Sequence, residues 1–181
     1  MLFFRLLSRP YEIVFKLCLA GLVSLLFCDV VKSETTLSKK SKLKAAYLLN
    51  FTQFIEWPNI PSGQTPSTIR ICVDDSSEFI LFLNQVAEKR KVGKLQQTVK
   101  ALPLNTAAGC ELIYVKNSGK EAFEHMSHTV IVTDSDEISF PNSAIVFFEQ
   151  NEHLRFEINL KQIDAMQVTV SSELLKLARI K

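Results

Sequence analysis

The stretch Ile69-Arg70-Ile71-Cys72-Val73 is short, apolar and rich in β-branched residues. Turn-forming residues flank it, with Pro66 before it and Asp74-Asp75-Ser76-Ser77 after it. Such a run between turn formers is typical of a strand buried on both faces of an α/β sheet. A second run, Cys110–Val115, begins with a cysteine as well. We therefore predict that the two runs are neighbouring core strands, joined by their cysteines, and that the rest of the chain wraps around them.

The N-terminal segment has the order of a secretory signal. Three basic residues lie within the first sixteen, an apolar run covers 17–27, and Val31-Lys32-Ser33 has small or β-branched residues two apart. A positive region, a short apolar core and a cleavage site make up a signal peptide. The core is shorter than the roughly 18 residues that a spanning helix needs. We predict that residues 1–33 are cleaved, with an uncleaved anchor as the alternative, and that residues 34–181 form one domain in the periplasm.

The charge balance argues against a nucleic-acid partner. The chain has 21 basic and 19 acidic residues, of which four and two lie in residues 1–33, so 17 of each remain beyond the signal. A net charge of zero without a basic stripe does not fit nucleic-acid binding.

Cysteine usage depends on the same signal. Cys18 and Cys28 leave with it, and Cys72 and Cys110 are the two that remain. An even number of cysteines in an exported chain predicts one disulfide, and two reduced core thiols are the alternative. Zinc needs more ligands than two cysteines, and no histidine lies at ligand spacing from either, so we predict no metal site and no cofactor.

The first helix is predicted over residues 37–57. Its apolar face at helical spacing comprises Leu43, Ala46, Tyr47, Asn50, Phe51 and Phe54, widened by Leu48, Leu49 and Ile55. Trp57 at its end is either a plug in the core or an aromatic anchor for a partner.

The remaining elements alternate between strands and helices. A helix capped by Ser76 or Ser77 runs to Arg90, with Phe79, Ile80, Leu83, Val86 and Ala87 inside. Strands are predicted at 96–102, 110–115, 129–133 and 168–170, a hairpin pairs 144–148 with 154–159, and helical segments cover 118–126, 160–165 and 171–178. This order predicts a single layered α/β domain with a mixed, mostly buried sheet flanked by helices.

The polar residues do not assemble a catalytic set. The sequence has no Gly-rich phosphate loop, no Gly-x-Ser-x-Gly and no recognisable nucleophile–base pair, so we predict that the protein is not an enzyme. His125 and His128 are interpreted as solvated residues at a helix end. Arg155, Glu157 and Asn159 alternate with apolar residues along one strand, so they share a face that is either a solvent-facing surface or a recognition surface.

Several of these stretches resemble the YfiR family of exported proteins. They are Leu43–Phe51 continuing to Glu56-Trp57-Pro58, Arg70-Ile71-Cys72-Val73, Cys110 heading its apolar strand, Arg155-Phe156-Glu157-Ile158-Asn159, and Ser171–Arg179. The resemblance implies a periplasmic α/β domain, often dimeric, with a disulfide at the positions of Cys72 and Cys110. It also implies repression of an inner-membrane diguanylate cyclase through the cyclase's periplasmic sensor domain, and sequestration by an outer-membrane lipoprotein with a peptidoglycan-binding domain.

The sequence departs from the family pattern in three ways. Glu111 stands where the family usually has histidine, Asn142-Ser143 replace a frequent Gly-Gly pair, and the second disulfide of some members has no counterpart. Because a fold does not fix a function, two hypotheses remain. The first is a protein–protein regulator that lowers cyclic-di-GMP signalling, and the second is a periplasmic small-molecule binder that serves a sensor or a transporter.

Overall fold

A computed structural model describes residues 37–57, 67–93, 96–104, 109–116, 127–134 and 142–181. The predicted signal peptide and the helix predicted at 118–126 lie outside these residues. Within them, none of the helices combines the length and the apolar character needed to cross a membrane.

The described residues form four helices and nine strands. In chain order they are α1 (Lys39–Phe54), β1 (Ile55–Glu56), β2 (Thr68–Asp74), α2 (Ser77–Ala87), β3 (Thr98–Pro103), β4 (Leu112–Val115), β5 (Val130–Asp134), β6 (Ile145–Gln150), β7 (His153–Ile158), α3 (Leu160–Ala165), β8 (Thr169–Val170), α4 (Ser172–Leu175) and β9 (Arg179–Ile180).

Seven of the strands form one mixed sheet in the order β3-β2-β4-β5-β6-β7-β9. The first five are parallel, β7 is antiparallel to β6, and β9 is parallel to β7. The predicted single α/β domain with a mixed sheet is therefore confirmed. The prediction that the two cysteine-bearing runs are neighbours is also confirmed, because β2 and β4 pair in parallel with Cys72 opposite Ile113.

Helix α1 ends earlier than predicted. The Ser38 side chain caps its start by accepting a hydrogen bond from the Ser41 N–H at 3.0 Å. The helix stops at Phe54 because Ile55 has extended backbone angles, φ −107° and ψ 134°, and pairs with Val170 of β8. β1 and β8 form a separate two-stranded antiparallel sheet, so the predicted strand at 168–170 does not join the main sheet.

The predicted inner face of α1 was partly wrong. Leu43 is 45% exposed and Asn50 is exposed, whereas the buried residues of the helix are Lys44, Ala45, Leu48, Leu49, Phe51 and Thr52. The buried face of α1 lies about one residue further toward the C-terminus than predicted. Two polar side chains can be buried on this face because each has a bonding partner in the interior. The Thr52 hydroxyl donates to the Leu49 carbonyl at 2.7 Å, and Lys44 forms an ion pair with Asp134.

Two other helices also differ from the prediction at their ends. Helix α2 is capped by Ser76 as expected, but it ends at Ala87 rather than at Arg90. Helix α4 ends at Leu175, and the chain then enters β9, which the sequence did not predict.

Aromatic contacts place α1 and α2 on one face of the sheet. Phe51 of α1 stacks on Phe147 of β6, with ring centroids 5.7 Å apart, and Phe79 of α2 lies 5.8 Å from Tyr114 of β4. Tyr114 and Phe147 are themselves 6.1 Å apart, so both helices cover the same side. We call this side the helix-covered face and the opposite side the outer face.

Candidate functional site

The disulfide joins β2 to the segment that leads into β4. Cys72 and Cys110 are bonded, with their Cα atoms 5.9 Å apart. Both residues are buried, at 0% and 3% exposure. The bond therefore links the second strand of the sheet to the segment before the third, and solvent does not reach it in the folded domain.

An ion pair between half-exposed Arg70 and buried Glu111 lies directly beside this disulfide. The Glu111 carboxylate, 3% exposed, accepts hydrogen bonds from the backbone N–H of Arg70 at 2.7 Å and from its Nε and Nη2 at 3.2 and 2.8 Å. These side-chain bonds raise the pKa of Arg70 above its ordinary value. Gly109 has a φ of +84°, and a Cβ there would lie 2.9 Å from Arg70 Nη1. The glycine thus permits the guanidinium to approach. Glu111, which stands where the family usually has histidine, therefore has Arg70 as its ion-pair partner.

Trp57 belongs to the same cluster. Its side chain is 7% exposed, and its indole Nε1–H donates to the Glu111 carbonyl at 3.0 Å. The Thr129 hydroxyl holds the neighbouring Cys110 carbonyl at 2.8 Å. Of the two interpretations of Trp57, the geometry matches the core plug, and the ring does not offer an exposed surface to a partner.

The strand with the predicted polar face is β7. Its alternation is as expected, since Leu154, Phe156 and Ile158 are buried while Arg155 is exposed. The three polar side chains nevertheless have different surroundings. Asn159 caps α3 by accepting from the Gln162 N–H at 3.3 Å.

Glu157 is held by the C-terminal strand. Its carboxylate accepts a hydrogen bond from Arg179 Nε at 2.8 Å and forms an ion pair with the same guanidinium, whose Nη2 is 2.7 Å away, while Lys181 Nζ lies 3.7 Å away. The same Arg179 guanidinium lies 3.8 Å from the ring centroid of Phe148 on β6, a cation–π contact. β9 is therefore fastened to both strands of the hairpin.

We define the hairpin surface as the outer face of β6, β7 and β9, formed by Val146, Phe148, Arg155, Glu157 and Arg179. Phe148 and Arg179 were missing from the predicted set. Phe148 could have been predicted from the strand alternation, because the hairpin register places it opposite Arg155 on the same face. Arg179 had no such signal, since the sequence predicted helix up to residue 178.

A small cleft opens on the helix-covered face at the end of β5. Lys44 and Asp134 form an ion pair there, and the Tyr114 hydroxyl donates to the same Asp134 Oδ2 at 3.1 Å. The other oxygen, Oδ1, is buried without a hydrogen-bond partner. The cleft has about 160 Å³ of open space and is also lined by Lys40, Phe147, Phe148, Glu149 and Leu154.

The described residues contain no group of three or more His, Cys, Asp or Glu that could hold a metal ion. His128 has a left-handed backbone, φ 65°, and its Nδ1 is buried. It is thus less solvated than predicted, and His125 lies outside the described residues.

The fold and these clusters define a single-domain α/β protein with a mixed seven-stranded sheet and a disulfide buried in its core. The YfiR/HmsC-like family model matches residues 41–179, which is most of the chain. The chain therefore belongs to the YfiR/HmsC-like family. A comparison with curated proteins finds no match to it.

Proposed function

We propose that residues 34–181 act in the periplasm as a regulatory protein. The domain binds the periplasmic sensor domain of an inner-membrane diguanylate cyclase and lowers cyclic-di-GMP signalling, without catalysing a reaction of its own. The observation that carries this proposal is the family match over residues 41–179, which includes nearly all of the described secondary structure. The signal-like order of residues 1–33 supports export.

The hairpin surface is the region that we assign to the partner. It combines an exposed arginine, Arg155, with an aromatic ring, Phe148, that is stacked under a second arginine. Aromatic residues and arginine are enriched at protein interfaces and dominate their binding energy. Glu157 fixes the position of Arg179, so the surface is preorganised and loses little conformational entropy on binding.

The alternative, a small-molecule-binding accessory protein, has weaker support. Ligand pockets are typically about 300–1,000 Å³, whereas the cavity volume at Lys44 and Asp134 is about 10 Å³. Its two charged groups also neutralise each other. A fluorescence or calorimetric titration with small metabolites should therefore give no saturable binding at this cleft.

Gene deletion tests the regulatory function. Deleting the gene should raise cyclic-di-GMP in cells that contain the partner cyclase and leave it unchanged in cells that lack that cyclase. The exported chain should begin near residue 34 by mass spectrometry. An unchanged level in the first strain, or an equal rise in both strains, would contradict the proposal.

A charge reversal tests the assigned surface. Arg155→Glu should abolish complementation of the deletion and co-purification with the sensor domain, because it places a negative charge at the centre of the hairpin surface. Arg90→Glu is the matched control, since Arg90 is also exposed but follows α2, which covers the opposite face. Both variants should accumulate to wild-type level. Equal complementation by both would exclude the hairpin surface without excluding the regulatory function.

Two further partners remain predictions. The outer-membrane lipoprotein with a peptidoglycan-binding domain should co-purify with the exported domain and relieve repression when overproduced. A homodimer should appear as twice the mature mass in sedimentation equilibrium.

A further inference from the structure

One edge of the main sheet is formed by β3. Its backbone N–H and C=O groups point alternately toward β2 and away from the sheet. The Thr98 N–H donates to the Ser67 carbonyl at 3.1 Å, toward β2. Successive residues of a strand alternate in the side to which they direct their N–H and C=O. The residues whose backbone groups point away from β2 are therefore Gln97, Val99, Ala101 and Pro103.

Three of these four residues cannot offer a full set of backbone groups to another strand, and we call such positions closed. Ala101 is closed by the side chain of Asn84 on α2, whose Oδ1 accepts from the Ala101 N–H at 2.8 Å and whose Nδ2 donates to the Ala101 carbonyl at 3.0 Å. Gln97 exchanges two backbone hydrogen bonds with Val92, each 2.9 Å long. Pro103 has no N–H to offer. In the described part of this edge, Val99 is the one outward position left.

Asn84 fills the place that a neighbouring strand would take. Its side-chain amide turns one N–H and its oxygen toward Ala101, as the peptide groups of a strand would, and satisfies both backbone groups of that residue. Asparagine is a weak helix former, and the residues that α2 buries are apolar, namely Phe79, Leu83 and Ala87. A polar amide on such a helix is explained by the edge that it covers.

The opposite edge needs no such cover. β9 has two residues, and Lys181 after it is turned toward β7, since its N–H donates to the Ile158 carbonyl at 2.9 Å and its carbonyl accepts from the Leu160 N–H at 3.4 Å. Only Ile180, between two basic residues, directs its backbone outward. β9 pairs with Glu157 and Ile158 of β7 and leaves His153–Phe156 beside it, where the Leu154 carbonyl accepts a hydrogen bond from the Tyr47 hydroxyl at 3.4 Å. Among the described strands, β3, with six residues, is thus the longer edge.

We propose that Asn84 keeps the β3 edge closed to the β3 strand of a second copy of this chain. An uncovered edge strand presents free N–H and C=O groups that pair with other chains. Two copies of β3 would pair antiparallel across a two-fold axis, as isologous contacts do. The inference does not depend on the partner that the domain regulates, and it implies that any native homodimer uses another surface.

The test is sedimentation velocity of the mature domain over a concentration series. Asn84→Ala should raise the association constant above the wild-type value by at least about tenfold, or ~1.4 kcal/mol. Gln85→Ala removes an exposed amide from the adjacent position and should leave association at the wild-type value. Val86→Ala removes packing on the same helix and controls for destabilisation alone.

A second pair of measurements separates edge pairing from loosened packing. Asn84→Ala/Pro103→Ala removes the amide that covers Ala101 and adds an N–H at residue 103, so it should associate more tightly than Asn84→Ala. Hydrogen exchange at the Ala101 amide should be fast in dilute Asn84→Ala and slow again at high concentration, where a second copy pairs with it. If Asn84→Ala does not fold, Asn84→Asp is used instead. It keeps the acceptor but loses the donor, so its association constant should exceed that of the wild type by less than about tenfold.

The proposal is overturned if the folded Asn84 variants associate no more than the wild type. It is also overturned if Val86→Ala associates to the same extent, because loss of packing would then explain the effect.

Discussion

Removing the disulfide tests the central feature of the fold. The bond closes a loop of 38 residues, and the chain-entropy model predicts that such a bond stabilises the folded state by about 4 kcal/mol at 25 °C. Replacing one cysteine with alanine also removes a buried sulfur, which costs about 1 kcal/mol by analogy with a buried methylene group. Each single variant should therefore lose about 5 kcal/mol, a large part of the 5–15 kcal/mol that stabilises a typical domain.

The double variant carries the decisive information. Cys72→Ala/Cys110→Ala loses the bond once and two sulfurs, so it should lose about 6 kcal/mol. Two independent buried thiols would instead lose about 1 kcal/mol each and about 2 kcal/mol together, since unconnected effects add. Urea unfolding of the unreduced exported protein measures all three values. Additive losses would refute the claim that a bond joins the two residues.

Thiol labelling gives the direct measurement. The denatured, unreduced wild type should show no free thiol at Cys72 or Cys110, and two per chain after reduction. Two free thiols before reduction would refute the bond in the exported protein. On the proposed function, the domain must be folded to bind a cyclase, so the single and double variants should all show lower abundance and raised cyclic-di-GMP.

Three other predictions follow from individual contacts. Lys44→Met leaves the Asp134 carboxylate buried without a cation and should lower the free energy of unfolding by about 3–5 kcal/mol, whereas Lys44→Met/Asp134→Leu should lower it less in the same urea titration. Arg179→Ala should lower the free energy of unfolding by about 1 kcal/mol and should speed amide exchange in β9. Unchanged exchange would contradict the claim that Arg179 holds β9 against the hairpin. The pKa of Glu173 lies below its ordinary value of 4.5, because its backbone N–H and the Ser171 hydroxyl bind the carboxylate. The ionised Glu173 carboxylate therefore stabilises the folded state above pH 4.5, and this stabilisation is lost as the pH falls through its lowered pKa. The melting temperature of Glu173→Gln should accordingly fall less steeply in acid than that of the wild type.

The sequence predicted the parts of the fold that local pattern controls. The apolar runs around Cys72 and Cys110 became β2 and β4, and the Ser76 cap began α2 as expected. The buried face of α1 could not be predicted from the helix alone. Lys44 counts as a solvent residue in any hydrophobic pattern, yet it is buried because Asp134, ninety residues away, supplies the opposite charge.

β9 was missed for a related reason. Two residues have no measurable period, so neither strand nor helix periodicity applies to Arg179 and Ile180. Their strand is formed by long-range contacts, namely the register with Glu157 and Ile158 and the hydrogen bonds from Arg179 to Glu157. The hairpin itself was predicted because alternation is local. Its turn, Asn151-Glu152, has φ values of 51° and 61°, which suits a two-residue connection.

The same distinction decides how the hairpin surface can be used. Alternation placed Arg155, Glu157 and Asn159 on one side, but pattern alone could not say which of them are already engaged. Asn159 caps a helix and Glu157 holds β9, so a partner that took either one would first have to break an internal contact. Arg155 makes no ion pair within the described part of the chain, and its guanidinium is free to meet an acidic group at no internal cost. A partner domain that recognises this surface should therefore present a carboxylate to Arg155 and an apolar side chain beside Phe148. For that reason the charge reversal at Arg155 should abolish binding, whereas Asn159→Ala should reduce stability and leave affinity for the sensor domain unchanged.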